Sequence, residues 1–198
     1  MAPATNTFRP HVIIVDGVTG TGKSALLQFI RREYSNAAHV GTKISDRPER
    51  ADDATWEYRF VEQIPPHFAA TTYSSVGNRY AIDTDELSEV VGLGRTYVTT
   101  CAHYGVIESL RQRFTVAVVY IYRPLTSNDV RELMEHRGVV NGNAVAQRVE
   151  EIERLPDDYA AGISVYDFVL LNVGTVAQFQ NQARALLRTC GLIADGAA

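Results

Sequence analysis

Short runs of branched apolar residues alternate with longer segments of helical periodicity from residue 11 onward. Such runs, bounded by turn residues, are typical of buried strands in a parallel sheet, and the longer segments are typical of the helices that cover it. The pattern therefore predicts an α/β fold. The predicted strands are 12–15, 40–44, 96–101, 116–122 and 168–171, and the predicted helices are 23–34, 105–112, 127–135, 144–154 and 176–189.

This alternation stops at 45–85, a polar, turn-rich segment with many aromatic side chains and two further candidate strands, 57–61 and 79–82. A chain of 198 residues suits one domain with a small insertion. We therefore predict a single domain over 11–190, with its core at 11–44 and 86–190, the insert at 45–85, a helical lid at 137–148, and flexible tails at 1–10 and 191–198.

Composition narrows the classes of protein to consider. The chain is 45% hydrophobic and 21% charged, with a net charge of -4, so it lacks the positive field that non-specific nucleic-acid binding needs. Cys101 and Cys190 are too few for a disulfide framework and lack zinc-site spacing. No signal-like start or apolar stretch of about 20 residues is present. We expect a cytoplasmic protein with neither a nucleic acid nor a membrane as partner.

The strongest chemical signal is a full match to the phosphate-binding P-loop, between a predicted strand and a predicted helix. Its glycines let backbone N–H groups turn toward phosphate oxygens, and the helix N-terminus adds partial positive charge. The lysine of the motif reaches the β- and γ-phosphates, and its serine offers a hydroxyl to Mg²⁺. The residues are Gly17, Val18, Thr19, Gly20, Thr21, Gly22, Lys23 and Ser24.

Asp16 directly precedes this loop, at the carboxyl end of the first predicted strand. Two interpretations of this acid remain open. Its carboxylate assists a Mg²⁺ ion or the acceptor, or it caps the loop by accepting hydrogen bonds from backbone N–H groups.

A P-loop alone is found in ATPases, GTPases and kinases, so other features must separate them. The chain has no NKxD base-reading sequence, and its insert contains Arg47 and Arg50, three residues apart. A guanidinium fork binds phosphate in bidentate fashion, which suits an acceptor that already carries a phosphate. A solvated, charged surface turn is the alternative interpretation of the pair. The pattern favours phosphoryl transfer to a small phosphorylated acceptor.

The order of motifs resembles that of the guanylate kinase family over about 11–189. The matching features are the P-loop, Arg47-x-x-Arg50, Tyr58-x-Phe60-Val61, Gly77-Asn78-x-Tyr80, His136-Arg137-Gly138, the helix bearing Arg148, and Tyr166 to Asn172. The resemblance implies a P-loop NTPase-type sheet, ATP and Mg²⁺ as cofactors, and catalysis by Lys23, Arg137 and Arg148.

The same resemblance assigns the remaining binding roles. It implies that Arg47, Arg50, Tyr58 and Tyr80 bind the acceptor's phosphate and that Asn172 lies near the adenine. Lys43 stands where the family has a small hydroxyl residue near that phosphate, and we interpret it as an added acceptor contact. A homodimer is a candidate assembly, although the sequence does not determine the oligomeric state.

The departures from the family concern the base-reading positions, which fall at Thr71, Ile82, Thr100 and Ala102 and carry no acid. A buried guanine donor without a partner costs about 1–3 kcal/mol, so tight selection of GMP is not expected. Three alternatives follow: a GMP-like nucleoside monophosphate read by other acids, with Asp83, Asp85 and Glu86 as candidates; a sugar phosphate, as in ribose bisphosphate kinases; or a non-catalytic guanylate-kinase-like binding module.

Overall fold

A parallel five-stranded sheet lies at the centre of the part of the chain that the computed structural model describes, residues 8–49, 53–75, 77–136, 142–153 and 163–194. In chain order the elements are β1 (Val12–Asp16), α1 (Lys23–Glu33), β2 (Ala38–Val40), β3 (Lys43–Ser45), β4 (Tyr58–Phe60), β5 (Thr72–Ser75), β6 (Asn78–Ile82), α2 (Thr84–Gly92), β7 (Thr96–Thr100), α3 (Tyr104–Arg111), β8 (Val116–Tyr122), α4 (Ser127–His136), α5 (Gly142–Glu153), β9 (Phe168–Leu171) and α6 (Val176–Thr189).

The central sheet has the order β2-β7-β1-β8-β9, with every pairing parallel. Side chains of β1 alternate between its two faces, as the period of two requires. Ile13 and Val15 pack with apolar residues of α1 and α6, whereas Val12 and Ile14 pack with those of α2 and α3. Helices therefore cover both faces, and the predicted α/β fold is confirmed.

A second sheet, of order β4-β3-β6-β5, is formed by strands that lie between Lys43 and Ile82. The strand predicted over 40–44 is wrong, because the structure divides it between the two sheets. β2 pairs with β7 in the central sheet, and β3 pairs with β4 and β6 in the second. The chain bends at Gly41, where an added Cβ would overlap the Tyr97 ring. Strand β5 and helix α2 were not predicted.

The α4–α5 pair forms a small separate cluster around Val130, Met134 and Val149. The turn of the predicted lid, 137–141, lies outside the described residues, as do residues 1–7 and 195–198 of the predicted tails. No helix in the described ranges is both long and apolar enough to cross a bilayer.

Candidate active site

A cleft of about 710 Å³ lies between the carboxyl end of the central sheet and the second sheet. The P-loop forms one side of it, and Lys43, Arg47 and Tyr58 of the second sheet region form the other. Arg148 of α5 also lines it. Carboxyl ends of parallel strands are where open α/β sheets bind ligands. The cleft therefore joins the P-loop to most of the residues predicted to bind the acceptor.

The side chain of Lys23 stabilises the conformation of the P-loop. Lys23 Nζ donates to the carbonyl oxygens of Gly17 and Val18 at 2.5 and 2.8 Å. Burial lowers the pKa of the Lys23 ammonium to about 8, although the Asp16 carboxylate acts in the opposite direction. Phosphate oxygens would offer this ammonium stronger partners than carbonyl groups do. The loop thus presents a buried cation that a bound phosphate would stabilise.

Asn172 and Arg123 hold the loop from outside. The Asn172 side-chain amide donates to the carbonyl of Thr21 at 2.8 Å, and Arg123 Nη1 donates to the carbonyl of Gly20 at 3.2 Å. Asn172 therefore contacts the base of the loop, close to the start of α1. Arg123 was not predicted as a site residue, because it follows β8 in a surface segment without a motif of its own.

Asp16 is a buried acid that already has two hydrogen-bond donors. Its carboxylate accepts from the backbone N–H of Gly17 at 2.6 Å and from the Tyr166 hydroxyl at 2.7 Å. Burial raises the pKa of Asp16, and these two donors and Lys23 oppose that rise. The carboxylate caps the loop and also lines the cleft. Its position is compatible with both of the roles predicted for it.

Arg47 lies on the acceptor side of the cleft, with its side chain only 2% exposed. Its guanidinium fork donates to both carboxylate oxygens of Asp53 at 2.7 and 2.5 Å. The same group stacks over the rings of Tyr58 and Phe60, at 4.7 and 4.9 Å from their centroids. Burial acts to lower the pKa of Arg47, but Asp53 outweighs it and the pKa is raised. Arg47 is therefore a permanent cation in a rigid setting.

Lys43 lies deeper in the cleft and is also buried. Its Nζ donates to Thr100 Oγ1 at 2.7 Å and to the Tyr58 hydroxyl at 3.1 Å, and it lies 4.5 Å from the Tyr58 ring centroid. Burial acts to lower the pKa of Lys43, but Tyr58 and Glu57 outweigh it and the pKa is raised. The ammonium therefore contacts Thr100, one of the positions where the guanylate kinase pattern has an acid.

Tyr58 and Tyr80 form an aromatic wall beside these cations. Their ring centroids are 6.4 Å apart, and Tyr80 also stacks on Tyr73 at 5.6 Å. The Tyr73 hydroxyl donates to the carbonyl of Thr100 at 3.2 Å, which ties this wall to the central sheet. The wall gives the cleft a flat apolar side next to charged groups.

Arg148 reaches the cleft from α5, where its Nη1 donates to Glu151 Oε2 at 2.7 Å. This pair lies close enough to Lys23 to influence its pKa. The other two predicted arginines, Arg50 and Arg137, lie outside the described residues. Their roles stay predictions.

The acids suggested as replacements for the base-reading positions do not line the cleft. Asp83 caps α2 and pairs with Arg59, and Asp85 lies on the surface near His67. Glu86 accepts from the Thr42 N–H and the Tyr97 hydroxyl. That suggestion is wrong, because none of the three acids lines the cleft, and the partners of Glu86 include His39 and Tyr97 of the central sheet.

Other carboxylates do line the cleft, namely Asp16, Asp53, Glu57 and Glu151. The last three were not predicted from the sequence. Asp53 stands three residues after Arg50, and Glu57 directly precedes Tyr58, so their proximity to predicted site residues was the available signal. The orientation of Glu57 depends on the pairing of β3 with β4, which joins residues 15 positions apart: Lys43 faces Tyr58 in the register.

Gly22→Ala is expected to lower ADP affinity at least about 10-fold and stability by about 1–3 kcal/mol. Gly22 has a φ of 108°, and an added Cβ would lie 2.7 Å from the Asn172 amide nitrogen. Calorimetric titration with ADP and thermal unfolding measure both effects. Gly94→Ala is the matched control, since Gly94 also has a positive φ but open space around it. Wild-type ADP affinity in Gly22→Ala would contradict this account.

Comparisons with known proteins agree with this picture. The chain is 27% identical over 184 residues to a ribose 1,5-bisphosphate phosphokinase (PhnN) of Pseudofrankia inefficax, covering 90% of this chain and 92% of the relative. It is 20% identical over 168 residues to a guanylate kinase of Mycoplasmoides gallisepticum, covering 81% and 84%. No protein-family model matches.

Among solved structures, the guanylate kinase of Anaplasma phagocytophilum has the same fold, with a TM-score of 0.52 at 15% identity and coverage of 92% of this chain and 84% of that one. The two sequence relatives are both phosphotransferases, and the P-loop stands here in its strand–helix setting. The two sequence relatives and the structural match together support a guanylate-kinase-like P-loop phosphotransferase.

Proposed function

We propose that the protein transfers the γ-phosphoryl group of ATP, with Mg²⁺, to a small acceptor that already carries a phosphate. One observation carries this proposal: a single cleft has the P-loop on one side and the buried cations Arg47 and Lys43 on the other. Two anionic groups placed against these two sides would face each other, which is the geometry that phosphoryl transfer needs.

In the proposed reaction an oxygen of the acceptor's phosphate attacks the γ-phosphorus of ATP. The bond from the γ-phosphorus to the bridging oxygen breaks, and ADP leaves with that electron pair. The attacking oxygen is already ionised near neutral pH, so the reaction needs no general base. The contribution of the protein is then to position the two phosphates and to compensate their charge.

The residues of the cleft take distinct parts in this proposal. The P-loop backbone cradles the nucleotide phosphates, and Lys23 exchanges its carbonyl partners for phosphate oxygens. Arg148, with Arg137 of the predicted lid, balances the charge that spreads over the transferred group. On the other side, Arg47 and Tyr58 hold the acceptor's phosphate, together with the predicted contacts Arg50 and Tyr80.

Mg²⁺ would be held by the Ser24 hydroxyl with Asp16 nearby, and it supplies charge compensation on the β- and γ-phosphates. The donors fit this ion, because both are oxygen groups that line the same end of the cleft. Asn172 fixes the loop through its hydrogen bond to the Thr21 carbonyl, and its predicted place near the adenine stays a prediction.

Two acceptor classes are candidates, each supported by an observation. A nucleoside monophosphate is favoured by the aromatic wall of Tyr58, Tyr73 and Tyr80 and by similarity to guanylate kinases. A ribose bisphosphate is favoured by Lys43 and Thr100, which offer guanine's N–H groups no carboxylate, and by similarity to a ribose 1,5-bisphosphate phosphokinase.

A screen of the wild-type protein tests the proposed function. The acceptors are GMP, dGMP, other nucleoside monophosphates and ribose 1,5-bisphosphate, each with Mg-ATP, and phosphate transfer is measured. We expect transfer to at least one of them, and none to guanosine or ribose, which lack the phosphate that Arg47 would bind. Strong activity on GMP alone would contradict the expectation that a cleft without the base-reading acids does not select GMP tightly. Nucleotide binding without transfer to any acceptor would favour a binding module.

A further inference from the structure

Glu57 is a buried acid between the two halves of the cleft. It stands directly before β4, is 7% exposed, and lines the cleft. Its backbone is fixed on both sides, since its N–H donates to the Ala54 carbonyl at 2.8 Å and its carbonyl accepts from the Lys43 N–H at 2.9 Å. The carboxylate is therefore held at one place in the cleft by the second sheet.

The two carboxylate oxygens of Glu57 face opposite sides of the cleft. Oε2 accepts a hydrogen bond from the Ser24 hydroxyl at 3.2 Å, and Oε1 lies 3.7 Å from Lys43 Nζ. Ser24 belongs to the P-loop side and Lys43 to the acceptor side. Glu57 thus contacts the hydroxyl expected to bind Mg²⁺ and the ammonium expected to contact the acceptor.

The pair formed by Ser24 and Glu57 matches the donors that Mg²⁺ prefers, which are hard oxygen atoms including one or two carboxylates. With octahedral bonds of 2.0–2.1 Å, two neighbouring ligand oxygens lie about 2.9 Å apart. The observed separation of 3.2 Å between Ser24 Oγ and Glu57 Oε2 is close to that value. A Mg²⁺ ion placed between Ser24 Oγ and Glu57 Oε2 would contact both oxygens with little movement of either side chain.

We propose that Glu57 is a carboxylate ligand of the Mg²⁺ ion, beside Ser24, and that it comes from the acceptor side of the cleft. This inference rests on the proposed function for the presence of Mg²⁺ and adds a metal ligand that the P-loop motif does not contain. The metal site would then be completed only when the second sheet is packed against the P-loop.

A consequence concerns Lys43. Without metal, the negative charge of Glu57 partly neutralises the Lys43 ammonium and repels an acceptor phosphate. With Mg²⁺ bound, that charge is shared with the ion, and Lys43 becomes a stronger anion site. Binding of the Mg-nucleotide and of the acceptor is therefore positively coupled, and each increases affinity for the other by the same factor.

The metal contact is tested by Mn²⁺ binding to the complex of the protein with ADP, measured by electron paramagnetic resonance. Glu57→Gln is expected to weaken Mn²⁺ binding about 10–100-fold. Glu57→Asp, which keeps the charge, should lose less, and Glu89→Gln on the exposed face of α2 should lose nothing. Mn²⁺ affinity in Glu57→Gln within twofold of wild type would overturn the proposal.

ADP affinity in EDTA separates a metal ligand from a structural role. Glu57→Gln should bind metal-free ADP within twofold of wild type, because the P-loop itself is unchanged. An equal loss of metal-free ADP binding would assign Glu57 a structural role and overturn the proposal. None of these measurements requires phosphoryl transfer, so they remain decisive even if the proposed function fails in the acceptor screen.

Coupling is tested by calorimetric titration of GMP and ribose 1,5-bisphosphate with and without saturating Mg-ADP. The wild-type protein should bind its acceptor more tightly with Mg-ADP. In Glu57→Gln the affinity without nucleotide should be equal or higher, and the gain from Mg-ADP should disappear. A full gain in Glu57→Gln would overturn the coupling, and binding of neither acceptor would count against the proposed function.

Discussion

Replacing Lys23 by methionine is expected to lower kcat by about 10³-fold, as the loss of one charge-stabilising donor does in other active sites. Methionine keeps most of the volume of the side chain and removes only the ammonium. Lys23→Arg should not restore activity, because the planar guanidinium cannot occupy the site of a compact ammonium bound by two loop carbonyls. ADP production at saturating ATP and acceptor measures this loss.

Stability provides the check on this variant. Burial disfavours the charged form of Lys23, so Lys23→Met is expected to unfold at the wild-type temperature or above it. Arg32→Met removes an exposed cation of the same helix and should leave kcat unchanged. Wild-type turnover in Lys23→Met would exclude the proposed mechanism, and low turnover with a strongly reduced melting temperature would show that the fold is lost instead.

Arg47→Ala is expected to have two large effects at once. The change leaves the Asp53 carboxylate without its bidentate partner in a buried place, which costs about 3–5 kcal/mol of stability. For a chain of this length that corresponds to a fall of about 6–20 °C in melting temperature. The proposed acceptor contact is lost as well, so the KM for the acceptor should rise at least about 10-fold while the KM for ATP changes little. Melting curves and steady-state kinetics below the melting temperature measure these effects.

Asp53→Asn separates the two roles of Arg47. It should destabilise the protein to a similar degree, because it leaves the guanidinium buried without its charged partner. Acceptor binding should not weaken, since the cation is still present and less neutralised. If both variants raise the acceptor KM equally, Arg47 serves only to hold the segment that follows β3. The double variant, Arg47→Ala with Asp53→Asn, completes the cycle and gives the coupling energy between the two side chains.

Local signals predicted the P-loop side of the cleft well. The apolar strand and the amphipathic helix around the motif are observed as Val12–Asp16 and Lys23–Glu33, against predictions of 12–15 and 23–34. Both elements are encoded by neighbouring residues, and the loop between them has glycines at the positions of positive φ. The sequence of this region is sufficient because its contacts are short in range.

The acceptor side was less predictable because its contacts are long in range. The apolar residues of 40–44 read as one strand, but packing of the Tyr97 ring beside Gly41 bends the chain and sends its halves to different sheets. In the sequence, Glu57 is one of several charged residues in the polar insert 45–85. Only the register between Lys43 and Tyr58 shows that it faces Ser24.

The bend at Gly41 and Thr42 also determines how the cleft can change. The Gly41 N–H donates to the Val98 carbonyl of the central sheet, and the Lys43 N–H donates to the Glu57 carbonyl of the second sheet, so backbone hydrogen bonds fix the spacing between the two sides. Side-chain replacements in the cleft can therefore alter the choice of acceptor without altering that spacing. Inserting one residue at the bend would instead reverse the faces of β3 and turn Lys43 out of the cleft, since successive strand residues point to opposite sides.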